Sequence, residues 1–191
     1  AIAHRLIDQF PKAEQDVRRA AWLVVAHSSF ALEKFEDAEK RYVTVIQLTA
    51  DTDKTRESVI DNLAASIYKQ GEQARKRDDH KVAADHFLRI ATAAPASKIR
   101  PTAEYDAATA LLQLKDWGRA VEILEAFRKD YPANELQPEV TKKIALAHKE
   151  AGNLALAAAE YERVETESRE EELRRGALSL AAELHEQAGQ T

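Results

Sequence analysis

The sequence of 191 residues contains no cysteine, which excludes a disulfide framework, a cysteine-ligated zinc site and a thiol nucleophile. It also lacks methionine, even at position 1, so we expect an excised piece or a processed product of a longer protein. No apolar run is long enough to span a bilayer, so direct membrane insertion is not expected. The net charge of −5, with both signs interspersed, argues against a nucleic-acid binder, which needs a basic stripe.

Glycine and proline are also scarce, at five residues each, and that is too few for the many turns of an all-β domain. Aromatic residues make up only 6% of the chain. Alanine and charged side chains are abundant instead, and these residues lose little conformational freedom in a helix. The composition therefore predicts an all-α protein.

Internal repetition is the strongest pattern in the chain. Four segments align without gaps, and their shared alanines, spaced by 45, 37 and 37 residues, are Ala38, Ala83, Ala120 and Ala157. A large residue follows each alanine by four positions, in the series Tyr42, Phe87, Leu124 and Tyr161. Another alanine precedes three of them by twelve positions, at Ala26, Ala108 and Ala145, and Ala65 is the corresponding assignment in the second unit. Small residues allow two antiparallel helices to approach closely, and the large residue fills the space between hairpins.

This pattern resembles the tetratricopeptide repeat, a helix–turn–helix unit that stacks on its neighbours. Pro95 and Pro132 match the proline that ends the second helix in that family. The resemblance implies a right-handed α-solenoid of antiparallel helix hairpins with about ten helices. The connections between hairpins are longer than in the family, and in this respect the chain resembles tetratricopeptide proteins of the bacterial cell envelope.

The alignment predicts that residues 1–191 form one segment of a longer solenoid. Its predicted parts are the second helix of a preceding repeat (1–12), four repeats (19–52, 55–97, 101–134 and 138–171) and the first helix of a further repeat (172–188). The second repeat has six extra residues, which we place inside its hairpin and divide between its two helices. Its first helix is then predicted from about Thr55 to Lys76.

No catalytic or metal-binding constellation is evident in the sequence. His80 and His86 are six residues apart, so on a helix they diverge and cannot form the paired ligands of a zinc protease. A glycine-rich phosphate loop and a nucleophile elbow are both missing. We therefore expect neither an enzyme nor a cofactor or metal site.

The resemblance implies that the first helices line a concave groove in which extended peptides or partner helices bind. Counting from the aligned alanines, the candidate groove residues are Leu23, His27, Phe30, Asn62, Ser66, Lys69, Tyr105, Thr109, Leu112, Gln113, Lys142, Leu146 and Lys149. These side chains change from apolar in the first repeat to basic in the fourth. A ligand with a hydrophobic anchor and an acidic stretch would complement them.

The sequence thus favours a protein–protein interaction scaffold that binds a protein or peptide, with a bacterial envelope assembly as its setting. A periplasmic or envelope location is favoured over the cytoplasm. The alternative is a structural spacer or a regulatory repeat domain of a larger multidomain protein. The open repeat ends also predict self-association, because each exposes a surface that normally faces a neighbouring repeat.

Overall fold

A computed structural model of the chain describes Gln9 and residues 13–189. Its helices are α1 (Gln15–Ala31), α2 (Phe35–Gln47), α3 (Arg56–Arg75), α4 (His80–Ala93), α5 (Arg100–Gln113), α6 (Trp117–Asp130), α7 (Gln137–Glu150), α8 (Leu154–Glu167) and α9 (Glu171–Gln187). No strand occurs among the described residues, and the predicted all-α class is confirmed. The helix predicted over residues 1–12 lies outside the described residues, apart from Gln9, which is helical.

The chain divides into two compact units, residues 1–103 and 104–191. In the first unit α1 packs against α2, α2 against α3, and α3 against α4. In the second unit α6 packs against α7, α7 against α8, and α8 against α9. Within each unit, this packing of successive helices is consistent with the predicted helical solenoid.

Small residues lie where paired helices cross, as the repeat pattern predicts. Ala26 of α1 and Ala38 of α2 are fully buried, and Tyr42, one turn further along α2, is buried beside them. In the second unit the fully buried Ala108, Leu124, Phe127, Val140 and Ile144 form one hydrophobic cluster. The absence of a bulky Cβ substituent at each crossing lets the helix backbones approach, and the larger side chains then fill the layer around them.

All four hairpins close with the same backbone turn. The residue five positions before each aligned alanine adopts a left-handed conformation, with φ of 57° at Glu33, 57° at Asp78, 59° at Lys115 and 79° at Gly152. The next amide then donates to the carbonyl five residues earlier, as Lys34 does to Ser29 at 2.9 Å and Asp116 to Leu111 at 3.0 Å. This is a Schellman turn, which satisfies carbonyls left unpaired at a helix end. The shared turn gives every hairpin the same register between its two helices.

The second hairpin corrects one prediction made from the sequence. The prediction of a long first helix is confirmed, since α3 spans Arg56–Arg75, but α4 has 14 residues, as do α6 and α8. The extra residues therefore do not lengthen both helices. Gly71, twelve positions before Ala83, occupies the small-residue position that we had assigned to Ala65. Gly71 is buried against Phe87, whereas Ala65 is partly exposed, so the added length lies toward the start of α3.

Candidate binding surface of the first helices

The thirteen candidate groove residues lie on four first helices, α1, α3, α5 and α7, and they differ in exposure. Ser66 and Leu112 are buried, so their side chains contribute to packing rather than to a ligand-accessible surface. The exposed ones are His27, Gln113, Leu146 and Lys149. The half-buried ones are Leu23, Phe30, Asn62, Lys69, Tyr105, Thr109 and Lys142.

On α1, two candidates contact the second helix of their own hairpin. The Tyr42 hydroxyl lies 2.7 Å from Nδ1 of His27, and burial raises the pKa of Tyr42 to about 12. The hydroxyl therefore stays protonated, and the tautomer of the His27 ring decides which of the two groups donates the hydrogen bond. Phe30 packs edge-on against Phe35 with ring centroids 5.1 Å apart. These contacts fix the orientation of His27 and Phe30 relative to α2.

On α3 the corrected register changes which residues correspond to the candidates of the other helices. The Ser66 hydroxyl donates to the carbonyl of Asn62 at 2.9 Å, within its own helix. Counted from Gly71, the positions equivalent to Tyr105, Thr109 and Leu112 of α5 are occupied by other residues of α3. They are Tyr68, Glu72 and Arg75, each 37 residues before its counterpart.

Tyr68 and Arg75 were not among the predicted groove residues, because the prediction required alanine at the small-residue position. Tyr68 packs on Phe87 with ring centroids 5.0 Å apart, and the Arg75 guanidinium carbon lies 5.8 Å from the centroid of the same ring. The signal that locates them is the constant twelve-residue spacing to the second-helix alanine. Allowing glycine at this position would have identified them.

On α5, Tyr105 links the core of the second unit to its surface. Its ring centroid lies 6.4 Å from that of Phe127, and Nζ of Lys143 on α7 lies 5.1 Å from the Tyr105 centroid. Burial lowers the pKa of Lys143, with opposing contributions from the nearby carboxylates Glu139 and Asp106. Burial also raises the pKa of the Tyr105 hydroxyl. An ammonium over an aromatic face is a favourable electrostatic contact, so Lys143 holds α7 against α5 at this position.

On α7, the candidates Leu146 and Lys149 are exposed, whereas Lys142 forms an ion pair. Lys142 Nζ lies 2.8 Å from Oε1 of Glu139, so its charge is partly neutralised. Leu146 is 43% exposed, and Lys149 is exposed at the end of the same helix. An exposed leucine next to a lysine presents apolar area and positive charge together. The equivalent positions on α9, by the 37-residue spacing, are Ser179, Glu183 and Glu186, so the basic character does not continue there.

The described part of the chain offers no group of three or more histidine, aspartate or glutamate side chains that could hold a metal ion. Within those same residues, no helix combines the length and apolar character required to cross a membrane.

Comparison with known protein families matches one segment of the chain. Residues 102–134 match the family model of the tetratricopeptide repeat, which covers α6 and most of α5. This one segment is therefore similar to a tetratricopeptide repeat. The other described hairpins have the same turn, and each has a small residue, alanine or glycine, at the equivalent positions. No curated protein matches the chain.

Tetratricopeptide repeats are stacked helical units whose surfaces generally bind other proteins, and the family is generally non-catalytic. The match therefore indicates a protein–protein interaction scaffold.

Proposed function

We propose that this chain is a non-catalytic scaffold that binds a peptide or partner helix on the surface formed by its first helices. The observation that carries the proposal is the exposed pair Leu146 and Lys149 on α7, a helix whose opposite face is fully buried through Val140, Ile144 and Ala145. The buried face fixes the helix in place, and the exposed face keeps apolar area in contact with water. Burial of such area by a partner is favourable by roughly 25 cal/mol per Å².

The chemistry of the proposed partner follows from this surface. Leu146 offers contact to an apolar anchor, and Lys149 offers a charge to a carboxylate next to that anchor. An amphipathic helix or an extended peptide with one acidic and one apolar position matches this arrangement. The setting that we propose, a bacterial envelope assembly, rests on the long connections between hairpins. Self-association is a further part of this proposal, and light scattering at increasing concentration tests it.

The experiment that tests the scaffold is selection of peptides from a displayed random library with the whole chain as bait. The selected peptides are then measured against two matched double variants. Leu146→Ser with Lys149→Glu alters the first-helix surface. Leu156→Ser with Lys129→Glu makes the same change on the second helices, where Leu156 is 54% exposed.

We expect the first variant to bind the selected peptides at least about tenfold more weakly, which corresponds to ~1.4 kcal/mol, and the control to bind them as the unaltered chain does. Circular dichroism must show both variants equally helical. If the two variants lose binding equally, or if neither does, the first-helix surface is not the site. Failure to select any peptide would favour the spacer or regulatory alternative.

A further inference from the structure

The second unit contains an open cleft of about 400 Å³ where α7, α8 and α9 meet. Its apolar lining residues are Pro138, Val164 and Leu173, and its polar lining residues are Glu139, Lys142, Glu167, Ser168, Arg169 and Glu170. Apart from Lys142, none of these residues belongs to the candidate groove. A cleft of this volume is within the range that accommodates small ligands or single side chains.

The equivalent position one repeat earlier is filled by aromatic rings of the chain itself. Phe127 stands between Tyr105 and Tyr131, with centroid distances of 6.4 Å and 5.0 Å. Tyr131 and Leu136 also pack against the buried cluster that contains Phe127. Aromatic pairs at these separations stabilise one another beyond the area that they bury. The preceding repeat therefore shows that this position accepts an aromatic side chain.

In the cleft, each of these rings is replaced by a smaller or a polar side chain. Residues 37 positions after Tyr105, Phe127 and Tyr131 are Lys142, Val164 and Ser168. The apolar residue that closes the position from the next helix is retained, since Leu173 is equivalent to Leu136. The cleft thus exists because the chain no longer supplies the aromatic side chains, while the helices and the leucine that surround them are still present.

We propose that this cleft, which we call the aromatic cleft, receives a phenylalanine or tyrosine side chain of the peptide that the scaffold binds. This inference rests on the proposed function and specifies the anchor residue of the partner. Tyr131 is the internal precedent for the occupant, because it lies in the connection that follows α6 rather than in a helix. Lys142 lines the cleft together with Glu139, its ion-pair partner at 2.8 Å, and its ammonium can face an inserted ring as that of Lys143 faces Tyr105 at 5.1 Å.

The first test uses p-cresol, the side chain of tyrosine, as the probe. The whole chain carries ¹³C-labelled valine and leucine methyl groups, and methyl NMR spectra follow a titration at millimolar concentrations. We expect saturable shifts of the Val164 and Leu173 methyl signals. Cyclohexanol, a non-aromatic molecule of similar size, should produce weaker binding, because it lacks the ring face that a cation contacts. The absence of saturable shifts, or equal binding of the two probes, would overturn the proposal.

The second test restores the missing side chain. Ser168→Tyr recreates the residue found at position 131, so it should abolish the p-cresol shifts and raise Tm by about 2–4 °C through filling of the cleft. Val164→Phe fills the same space from α8 and serves as a second variant if the first fails to fold. Ser179→Tyr adds the same side chain on the exposed surface of α9 and should leave p-cresol binding unchanged. Persistence of the shifts in a folded, filled variant contradicts the proposal.

The same variants separate this inference from the scaffold proposal. Peptides selected with the unaltered chain should be enriched in phenylalanine or tyrosine, and Ser168→Tyr should lose that preference. If p-cresol binds but no peptide is selected, the cleft is real and the scaffold function is wrong. If peptides bind the α7 surface without any aromatic preference, the scaffold stands and the aromatic cleft does not contribute.

Discussion

Gly71 lies where α3 and α4 approach each other closely. A Cβ atom built at this position would lie 2.5 Å from Cε1 and 2.8 Å from Cδ1 of Phe87. Phe87 is fully buried, and its ring packs on Tyr68 with centroids 5.0 Å apart, so it has little room to move. Only glycine fits here without displacement of the Phe87 ring.

We predict that Gly71→Ala lowers the free energy of unfolding, although alanine is the better helix former. Overpacking typically costs about 1–3 kcal/mol, whereas the gain in helix propensity is at most about 1 kcal/mol. Urea denaturation followed by circular dichroism measures the difference. Gly176→Ala is the matched control, because a Cβ at this exposed position of α9 meets nothing within 4 Å. The control should be stabilised by about 0.5–1 kcal/mol, and equal signs for the two variants would contradict the prediction.

Single residues also show how far the repeat pattern could be followed in the sequence. Ala26, Ala108 and Ala145 were correctly predicted at the helix crossings, because each precedes a second alanine by twelve residues. Gly71 obeys the same spacing but was missed, since the search required alanine. The physical requirement at this position is a small side chain rather than alanine itself, and glycine satisfies it better against a phenylalanine.

At the scale of the helix, the shared hairpin turn is followed directly by the N-cap position of every second helix. The Asp79 carboxylate accepts a hydrogen bond from the Val82 amide at 3.1 Å, and Asp116 accepts one from Arg119 at 3.4 Å. Asn153 occupies the same position before α8 but makes no such bond through its side chain. The backbone turn is therefore common to the hairpins, whereas the side-chain cap is not.

We predict that Asp79→Ala destabilises the first unit by about 0.5–2 kcal/mol, because one amide at the start of α4 loses its acceptor. Asn153→Ala removes the side chain at the equivalent position and should cost less, since no cap bond is lost. Denaturant midpoints for the two variants, measured under identical conditions, test the difference. A larger loss for the asparagine variant would show that the capping bond is not what stabilises the turn.

A second feature at this scale is an ion pair that joins two second helices. Arg128 of α6 donates to both carboxylate oxygens of Glu160 on α8, at 3.1 Å and 2.6 Å. Both side chains are largely buried. Nε of Arg128 is also buried and has no partner, so this arginine depends on Glu160 for its remaining hydrogen bonds. Two-point contacts of this kind fix orientation as well as distance.

We predict that Glu160→Gln lowers the free energy of unfolding by about 1–3 kcal/mol, because the buried guanidinium keeps its charge and loses the carboxylate. Glu36→Gln is the control, since its pair with Lys40 is exposed and such pairs contribute little. Thermal unfolding of both variants gives the comparison. A change no larger than that of the control would mean that α6 and α8 are held together by apolar packing alone.

At the scale of the whole molecule, the sequence was sufficient for the fold class but not for the exposure of the candidate groove residues. Periodic alanines determine where helices cross, and crossings recur with every repeat, so the all-helical architecture could be predicted without a structure. Exposure depends on how each side chain packs against neighbouring helices. Ser66 and Leu112 were therefore candidates by position, yet both are buried. The aromatic cleft was missed for the opposite reason, since it arises from side chains that are smaller than those in the preceding repeat.

The pH dependence of unfolding, measured on the whole chain, probes a charged cluster that connects α2 and α4. Nδ1 of His86 lies 3.1 Å from Nη2 of Arg89. The Arg89 guanidinium also donates to Glu39, from Nη1 to Oε1 at 2.6 Å and from Nη2 to Oε2 at 3.0 Å. Burial lowers the pKa of His86 from its usual 6.5, and the positive charge of Arg89 lowers it further. Arg77 acts in the same direction, whereas Glu39 and Asp85 oppose it.

The sign of the effect follows from linkage. Because the pKa of His86 is lower in the folded state, the unfolded chain binds more protons as the pH falls through 6.5. The contribution of His86 to stability is therefore present above pH 6.5 and is lost as the pH falls through the folded-state pKa.

We predict that the free energy of unfolding decreases from about pH 7.5 to about pH 5.5, and that it decreases less in His86→Gln. Urea denaturation at several pH values measures both slopes. Above about pH 7.5 the ring is neutral in both states, so the slopes of the two proteins should coincide there. Equal slopes in the acidic range would show that the cluster accommodates a protonated His86 without loss of stability.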